Sequence, residues 1–345
     1  MTGPARKYFL QAEKHRKSAE YSRAISLYQK ALAQFRDRSD VNGTLDCVLS
    51  LADTFRAKGD FTEAGIHYTE GLEIAQALDD MTAEADAMAG LGLSMRALGN
   101  WKFALDLIGR AGRSYRLLND KKGEAFSVWA RGGAYRIKGD IKKALKDFHA
   151  ALKKFRQLKD SSGVAYSYCG LGGSSRIAGK FGDSGKYYSL ANRMFSRLKD
   201  RFGLAYSYCG LGNVQRMKGD YKGALDYFQK AEVLYRQIGD RVSYAYTLWS
   251  IGTSWKMLGE YGKALKSFQA ASEFFSQTKD PRGHIYCILG AGEIDYLNGR
   301  GKRAGKVFLK ALKLAERYRF GVETGYAKRL LTSCERGKGF PVNLP

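Results

Sequence analysis

The sequence predicts an all-α fold in which pairs of antiparallel helices follow one another as a solenoid. A repeat of 40 residues runs from residue 1 to residue 320 without an insertion. Within each repeat the apolar residues recur at helical spacing, and a glycine marks the same break near the middle. A fixed period of roughly 20 to 50 residues is typical of repeat architectures, in which each unit packs against its neighbours.

Dividing the chain every forty residues gives eight blocks whose columns stay in phase. The predicted blocks are 1–40, 41–80, 81–120, 121–160, 161–200, 201–240, 241–280 and 281–320. An aspartate closes seven of them, at Asp40, Asp80, Asp120, Asp160, Asp200, Asp240 and Asp280. A glycine holds the nineteenth place in seven, at Gly59, Gly99, Gly139, Gly179, Gly219, Gly259 and Gly299.

The sixth block illustrates why each unit is predicted to be two helices. Its apolar residues form two groups, within 208–212 and 224–231, and steps of three and four residues place each group on one helix face. Gly219 lies between the groups and ends the first helix, while the closing aspartate of each block caps the next helix. We expect Gly212 to lie opposite Phe228, where a small residue lets the two helices approach closely.

At these columns the chain resembles the tetratricopeptide repeat family. The sixth block carries the resemblance best, in Tyr206-Ser-Tyr-Cys-Gly-Leu-Gly-Asn213 and in the stretch from Gly219 to Ala231. The 40-residue period resembles the subgroup that includes the leucine-glycine-asparagine repeat scaffolds. The resemblance implies a right-handed superhelical solenoid of eight antiparallel helix pairs, whose first helices line a concave groove that holds peptides.

The two ends of the array are predicted to differ from its middle. Residues 321–336 have the pattern of one more first helix, and Lys328 stands where the other blocks bury an apolar residue. A polar residue there suits a helix that caps the array with a water-facing side. We therefore predict a C-terminal capping helix at 321–336, followed by a flexible tail at 337–345.

The composition favours a soluble protein with acidic partners. The 58 lysines and arginines exceed the 34 aspartates and glutamates, for a formal net charge of +24, and such a charge attracts nucleic acid, anionic surfaces or acidic protein segments. No apolar stretch approaches the roughly 18 residues that a membrane span needs. The five cysteines are scattered and odd in number, which predicts free thiols and a cytoplasmic location.

A row of cations is the most informative feature of the predicted groove. The sixteenth place of the first helix holds a cation in seven blocks, at Arg16, Arg56, Arg96, Arg136, Arg176, Arg216 and Lys256. We call this row the Arg ladder. Aromatic residues share its face in blocks four to seven, because places six, nine, thirteen and sixteen lie together on a helix. They are Phe126, Trp129, Tyr166, Tyr206, Tyr246 and Trp249.

Two interpretations of the Arg ladder remain open from the sequence. Guanidinium groups beside aromatic rings suit an acidic segment with apolar anchors. The alternative is structural: the cations bridge neighbouring helices or pair with acids near the turns, namely Asp60, Asp140, Asp220 and Glu260. For Arg56 and Arg96 the local aspartates favour the structural interpretation.

The leading functional hypothesis is a protein-protein interaction scaffold that binds an acidic peptide or protein segment. Its predicted binding residues are Phe126, Trp129, Arg136, Tyr166, Arg176, Tyr206, Asn213, Arg216, Tyr246, Trp249 and Lys256. Single-stranded nucleic acid, in particular RNA, is the alternative partner, through the same groove or through basic outer helices. Self-association is a third hypothesis, with the C-terminal tail of one copy in the groove of another. No residues have the spacing of a catalytic, cofactor or metal site, so we predict no enzyme activity.

Overall fold

The computed structural model describes residues 3–18, 20–337 and 340–343, and within these ranges it consists of α-helices without a strand. The prediction of an all-α fold is therefore confirmed. Seventeen helices lie in the described ranges. They are α1 (Pro4–Lys17), α2 (Tyr21–Asp37), α3 (Val41–Lys58), α4 (Phe61–Ala77), α5 (Met81–Ala97), α6 (Trp101–Leu117), α7 (Lys121–Lys138), α8 (Ile141–Gln157), α9 (Ser161–Ile177), α10 (Phe181–Leu198), α11 (Arg201–Met217), α12 (Tyr221–Ile238), α13 (Arg241–Met257), α14 (Tyr261–Gln277), α15 (Pro281–Leu297), α16 (Gly301–Arg317) and α17 (Gly321–Arg336).

Consecutive helices pack against each other, as expected for a solenoid of helix pairs. Within pairs, α1 contacts α2, α9 contacts α10 and α15 contacts α16, and between pairs α2 contacts α3 and α10 contacts α11. The first helices of neighbouring blocks also contact one another, as α1, α3 and α5 do, and as α9, α11, α13 and α15 do. Within each unit these first helices thus lie side by side, and the predicted binding residues lie on first helices.

The chain divides into two compact units. One unit comprises residues 1–131 with 237–240, and the other comprises residues 132–236 with 241–345. The core of the first unit is a continuous cluster of buried side chains from Ala5 to Tyr115, with Phe126 packed against it. In the second unit the core consists of smaller clusters, such as those around Phe275 and Tyr235.

Turns and caps follow the two columns that define the repeat. The glycine column adopts positive φ angles at all seven positions, for example 89° at Gly59 and 86° at Gly219, a conformation that costs glycine little. The closing aspartate accepts hydrogen bonds from free backbone amides of the next helix. Such a cap is present at Asp40, Asp80, Asp120, Asp160, Asp200 and Asp280.

The acids that follow the turn glycines cap the second helix of each pair. Asp60, Asp140 and Asp220 accept from the amides of Glu63, Lys143 and Gly223, respectively. Asp140 also forms an ion pair with Lys143, and Glu260 forms one with Lys263. These contacts are local to the second helices, so the acids have a clear role that does not involve the Arg ladder.

The C-terminal helix α17 packs against α15 and α16. Its Lys328 side chain is 60% exposed and forms an ion pair with Glu316 of α16, in agreement with a water-facing side. At its other end, Gly321 lies so close to the turn between α7 and α8 that a β-carbon there would collide with the carbonyl oxygen of Lys138. Helix α17 therefore contacts two parts of the second unit that are far apart in sequence.

In the described ranges, no helix is both long and apolar enough to cross a membrane. All five cysteines are free thiols. Burial raises the pKa of the Cys47 and Cys287 thiols to about 12, which makes these two sulfurs poor nucleophiles.

Candidate functional site

The predicted binding residues fall in both units. Phe126 and Trp129 lie in the first half of α7, with their rings stacked at a centroid distance of 5.8 Å. The Arg96 guanidinium lies over the Trp129 ring at 5.9 Å. These three side chains form an aromatic and cationic cluster within the first unit. The other nine predicted residues belong to the second unit.

Two of the predicted aromatics connect one block to the next. The Tyr166 hydroxyl donates to the Asp200 carboxylate at 2.9 Å, and its ring meets Phe195 edge-on at 4.8 Å. Tyr246 repeats this arrangement two blocks later, where its ring meets Phe275 edge-on with the centroids 4.8 Å apart. Burial raises the pKa of Tyr246 above its ordinary value, and the nearby Asp280 carboxylate adds to the rise. These contacts stabilise the cap of the following helix. Both rings stay partly exposed on the surface that the first helices of the second unit form, which we call the first-helix face.

Tyr206 and Arg136 are also half-buried on that face. The Tyr206 ring stacks with Phe202 at 6.4 Å. The Arg136 guanidinium lies directly over Gly173, where a β-carbon would be 2.6 Å from Nη1. Gly173 occupies the thirteenth place of its block, so the missing side chain leaves space for the arginine of the preceding block.

The N-terminal part of the Arg ladder is held by acids three residues earlier on the same helix. Arg16 forms an ion pair with Glu13 at 2.7 Å, and Arg56 forms one with Asp53 at 2.8 Å. The Arg56 Nε also donates to the Tyr68 hydroxyl at 2.9 Å. For these two cations the contacts favour the structural interpretation, with partners on their own helix.

Arg216 of α11 is the centre of a different arrangement. Its side chain is completely buried, a costly position for a charge, and burial together with the neighbouring Arg176 lowers its pKa to about 10. Nε and Nη2 donate to the Asn213 side-chain oxygen at 3.3 and 3.2 Å. The guanidinium also lies over the Trp249 ring at 5.8 Å, within the range of a cation–π contact.

Lys256 of α13 is buried next to a carboxylate. Its ammonium forms an ion pair with Glu293 of α15, whose side chain is also buried. Burial lowers the pKa of Lys256, and it raises the pKa of Glu293. Lys256 Nζ also donates to the backbone carbonyl of Val342 at 2.6 Å. The last cation of the Arg ladder therefore contacts the C-terminal segment of its own chain.

Residues 340–343, which we call the tail segment, occupy the first-helix face of blocks six to eight. The Phe340 ring stacks on Tyr296 with centroids 3.7 Å apart and planes 8° apart. The Asn343 side chain accepts from Arg216 Nη1, and its amide donates to the Arg216 carbonyl at 2.8 Å. The prediction of a loose tail did not include these contacts. Residues 338, 339, 344 and 345 lie outside the described residues.

The space that remains beside the tail segment is small. A cavity of about 20 Å³ is left, and such a volume holds about one water molecule. Its walls come from α13, α15, α17 and the tail segment, and they are Trp249, Thr253, Lys256, Tyr286, Leu289, Gly290, Glu293, Tyr326 and Val342. The tail segment thus contacts Arg216 and Lys256, two of the residues that the sequence predicted for a ligand.

Arg176 is a cation of the Arg ladder with spare donor capacity. The residue is half-buried on α9, and its Nε is a buried donor with no hydrogen-bond partner among the described residues. Its positive charge lowers the pKa of Arg216. At Tyr326 of α17 the same charge opposes the rise in pKa that burial causes. A buried donor without a partner costs free energy, and an acceptor oxygen supplied by a ligand would remove that cost.

Several residues of this site were not predicted as binding residues. Glu293 stands at the thirteenth place of block eight, in the column that holds Asn213, so reading that column through the last block would have found it. Tyr326 and the tail segment lie outside the repeat, and their positions depend on where α17 packs. No signal in the sequence reveals that packing. In the described part of the chain, no group of three or more histidine, cysteine or acidic residues could hold a metal ion.

Comparison with known families finds a match over part of this chain. Residues 203–277 match the family model of the tetratricopeptide repeat. The match falls on the sixth and seventh blocks, whose helix pairs the other blocks repeat in phase. These two blocks are therefore tetratricopeptide repeats. A comparison with curated proteins gives no match.

Solved structures with the same fold extend over almost the whole chain. A Rap protein in complex with competence and sporulation factor is 12% identical over 96% of this chain and 98% of its own, with a TM-score of 0.63. The Rap conjugation gene regulator of the plasmid pLS20, in complex with the Phr* peptide, is 14% identical over 98% of both chains, with a TM-score of 0.57. A signal-transduction ATPase from Pyrococcus horikoshii with a tetratricopeptide repeat sensor is 18% identical over 91% of this chain and 48% of its own, with a TM-score of 0.54. At these identities the likeness concerns the fold.

Proposed function

We propose that the protein is an interaction scaffold that binds a peptide or protein segment on the first-helix face of its second unit. The observation that carries this proposal is the tail segment, a stretch of non-helical chain held there by side chains of three blocks. A surface that holds one such stretch has the shape and the donors to hold another. The proposal concerns binding, since the described groups of this face form hydrogen bonds and ring stacks with the tail segment.

The charges of this face support a partner with acidic or amide side chains. Arg216 and Lys256 both lie near the buried carboxylate of Glu293, and Arg176 adds a positive charge next to Arg216. Arginine offers a planar fork of donors that suits a carboxylate, and buried charge-assisted hydrogen bonds are among the stronger ones. Two of the structures with the same fold hold a peptide or factor, which is consistent with this proposal.

The role of each predicted residue follows from its environment. We propose that Arg176 supplies the free donor, that Asn213 orients Arg216, and that Trp249 and Tyr206 offer flat apolar contact. Tyr166 and Tyr246 contribute ring surface while their hydroxyl groups serve the next helix cap. Arg136 extends the predicted site toward the fourth block within the second unit, and we propose that Phe126 and Trp129 offer a separate aromatic contact in the first unit. A cytoplasmic location, based on the free thiols, remains a prediction.

Affinity capture from the native host tests this proposal. Wild type and Arg176→Glu are immobilised in parallel, and captured proteins are identified by mass spectrometry and then retested as purified partners. We expect Arg176→Glu to weaken the partner by about tenfold or more, because one charge-assisted hydrogen bond is lost and one repulsion is added. Arg176 is half-buried, so circular dichroism checks that the variant keeps its helices.

Arg193→Glu is the matched control, since it makes the same charge change on the exposed side of α10 in the same block. A partner that loses affinity for Arg176→Glu and keeps it for Arg193→Glu supports the proposed face. Equal behaviour of both variants would contradict the proposal, because the partner would then bind elsewhere or respond only to net charge.

Nucleic acid is the second candidate partner, and the exposed lysines of α8 are the observation in its favour. Lys142, Lys143, Lys146 and Lys153 are all exposed on the side away from the core. Binding through many phosphates weakens steeply with salt, by about 10³-fold or more between 50 and 200 mM for six or more contacts. A titration of single-stranded RNA at both salt concentrations, with Lys142→Glu/Lys146→Glu as the variant, decides for or against this candidate.

A further inference from the structure

The tail segment has the features of a ligand rather than of a chain end. Phe340 stacks on Tyr296 and also lies 5.8 Å from the Phe308 ring. The Val342 amide donates to the Phe340 carbonyl at 3.0 Å, so the backbone turns tightly at Pro341. Proline restricts this turn before binding, which lowers the entropy that is lost when the segment is held.

The first-helix face contacts the side chains of the tail segment as well as its backbone. Asn343 is bound at both ends of its carboxamide, since its oxygen accepts from the Arg216 guanidinium and its nitrogen donates to the Arg216 carbonyl at 2.8 Å. Lys256, which is 2% exposed, holds the Val342 carbonyl oxygen. An aromatic ring, a turn and a carboxamide are therefore recognised at three separate points.

We propose that residues 340–343 are a built-in occupant of the peptide site, and that external ligands of this site share the pattern aromatic, proline, apolar, then asparagine or aspartate. This inference rests on the proposed function and adds the identity of the occupant and the side-chain pattern of the ligand. The tail segment competes with the external segment, because Phe340 and Asn343 use the ring of Tyr296 and the donors of Arg216 that the ligand needs.

The charge balance makes aspartate the better residue at the fourth position. The Asn343 oxygen that accepts from Arg216 carries no formal charge, and the buried carboxylate of Glu293 already pairs with Lys256. A carboxylate in the place of the Asn343 carboxamide would accept from Arg216 with a full negative charge, and charge-assisted hydrogen bonds are roughly twice as strong as neutral ones. The tail is thus a neutral occupant that an acidic segment of the same shape displaces.

A direct binding experiment tests this inference on the full chain. The probe is fluorescein-labelled Phe-Pro-Val-Asn-Leu-Pro with blocked termini, which carries the last six residues of the chain, and anisotropy measures its affinity. Three proteins are compared: wild type, the released variant Phe340→Ala/Asn343→Ala, and Asn343→Asp. The competitors are Phe-Pro-Val-Asp-Leu-Pro and a peptide with alanine at the first and fourth positions.

We expect the released variant to bind the probe about tenfold or more tightly than wild type, because an occupied site lowers apparent affinity by the fraction that is free. Asn343→Asp should bind it more weakly than wild type, since the charged tail holds the site more firmly. The aspartate peptide should compete better than the unlabelled probe, and the alanine peptide should not compete. Equal affinity of all three proteins, or no binding to any, would overturn the inference.

Two further outcomes separate this inference from neighbouring ones. Light scattering that finds a wild-type dimer and a monomeric released variant would overturn the intrachain form, because the tail would then occupy the groove of a second copy. A captured partner that needs Arg176 but binds wild type and the released variant equally would also overturn it while the proposed function stands. Conversely, probe binding that follows the expected order without any partner dependent on Arg176 would support the tail site and count against the proposed function.

Discussion

At the residue scale, the packing of this fold depends on glycines that face large rings. The Tyr188 ring lies between Gly172 of its own block and Gly210 of the next, and a β-carbon on either glycine would collide with it. Phe268 lies in the same way between Gly252 and Gly290. The sequence predicted the contact within a block from Gly212 and Phe228, whereas the role of Gly210 and Gly290 became clear only from contacts between blocks.

Gly212→Leu tests this packing in block six. A β-carbon at Gly212 would lie 2.6 Å from the Phe228 ring, which is completely buried, so the larger side chain must force α11 and α12 apart. We expect the free energy of unfolding to fall by about 1–3 kcal/mol or more, the usual cost of overpacking. Urea unfolding followed by circular dichroism measures the change.

Gly262→Ala is the matched control, because a β-carbon there meets nothing within 4 Å and the residue is helical. Alanine in a helix is favoured over glycine by about 0.5–1 kcal/mol, so this variant should be slightly more stable than wild type. Stability of Gly212→Leu equal to that of wild type would show that the packing assignment is wrong.

At the element scale, the closing aspartate does more than cap a helix. Asp200 accepts from the Gly203 amide at 2.8 Å and from the Tyr166 hydroxyl at 2.9 Å, so it joins the first helix of block five to that of block six. Asp220 caps α12 by accepting from the Gly223 amide at 2.9 Å. The aspartates at the ends of blocks therefore connect elements as well as starting them.

A double-mutant cycle on Asp200 and Tyr166 separates the two roles. Asp200→Ala should cost more than the roughly 1 kcal/mol that is typical for a lost cap, because it also leaves the Tyr166 hydroxyl without its acceptor. Tyr166→Phe removes only the hydroxyl, and the double variant should be less destabilised than the sum of the two single variants. Asp220→Ala is the control, because this variant loses the cap of α12 and leaves the Asp200–Tyr166 contact in place. Strict additivity in the cycle would contradict a direct coupling of the two side chains.

At the scale of the whole molecule, the C-terminal segment covers part of the first-helix face of the second unit. Helix α17 contributes Tyr326 to the cavity wall, and the tail segment contributes Val342. The start of α17 is fixed by the close contact of Gly321 with the turn between α7 and α8. A contact made far from the tail in sequence thus positions the element that carries it.

Gly321→Val should loosen α17. A β-carbon at this position collides with the carbonyl oxygen of Lys138, which is backbone and cannot rotate away, so the helix must move. We expect faster amide hydrogen exchange throughout α17 and a loss of about 1–3 kcal/mol in the free energy of unfolding. Gly325→Val on the same helix is the control, since a β-carbon there meets nothing within 4 Å. Unchanged exchange in Gly321→Val would argue against the contact.

The periodic features of the molecule could be predicted from the sequence because they depend on local spacing. The turn at Gly219 requires a positive φ, which glycine adopts easily. The cap at Asp160 requires a carboxylate before the first turn of the helix. The packing of Gly212 against Phe228 requires a small residue opposite a large one. Each requirement repeats every forty residues, so eight copies reinforce one another. The Arg ladder was found in the same way, and the local aspartates already favoured a structural role for Arg56, which pairs with Asp53. The complete burial of Arg216 was not predicted.

The sequence by itself determined the all-α fold, the helix pairs and the face on which the Arg ladder lies, because these follow from near-neighbour geometry in each block. Only the tertiary structure decided what that face contacts. Arg216 has a local partner in Asn213, but the other described hydrogen-bond partners of Lys256 and Arg216 include Glu293, Val342 and Asn343, which lie 37 to 127 residues away. Such contacts depend on how the blocks stack and where α17 packs, and no spacing rule within a block contains that information. The burial that changes the pKa of Arg216 has the same origin.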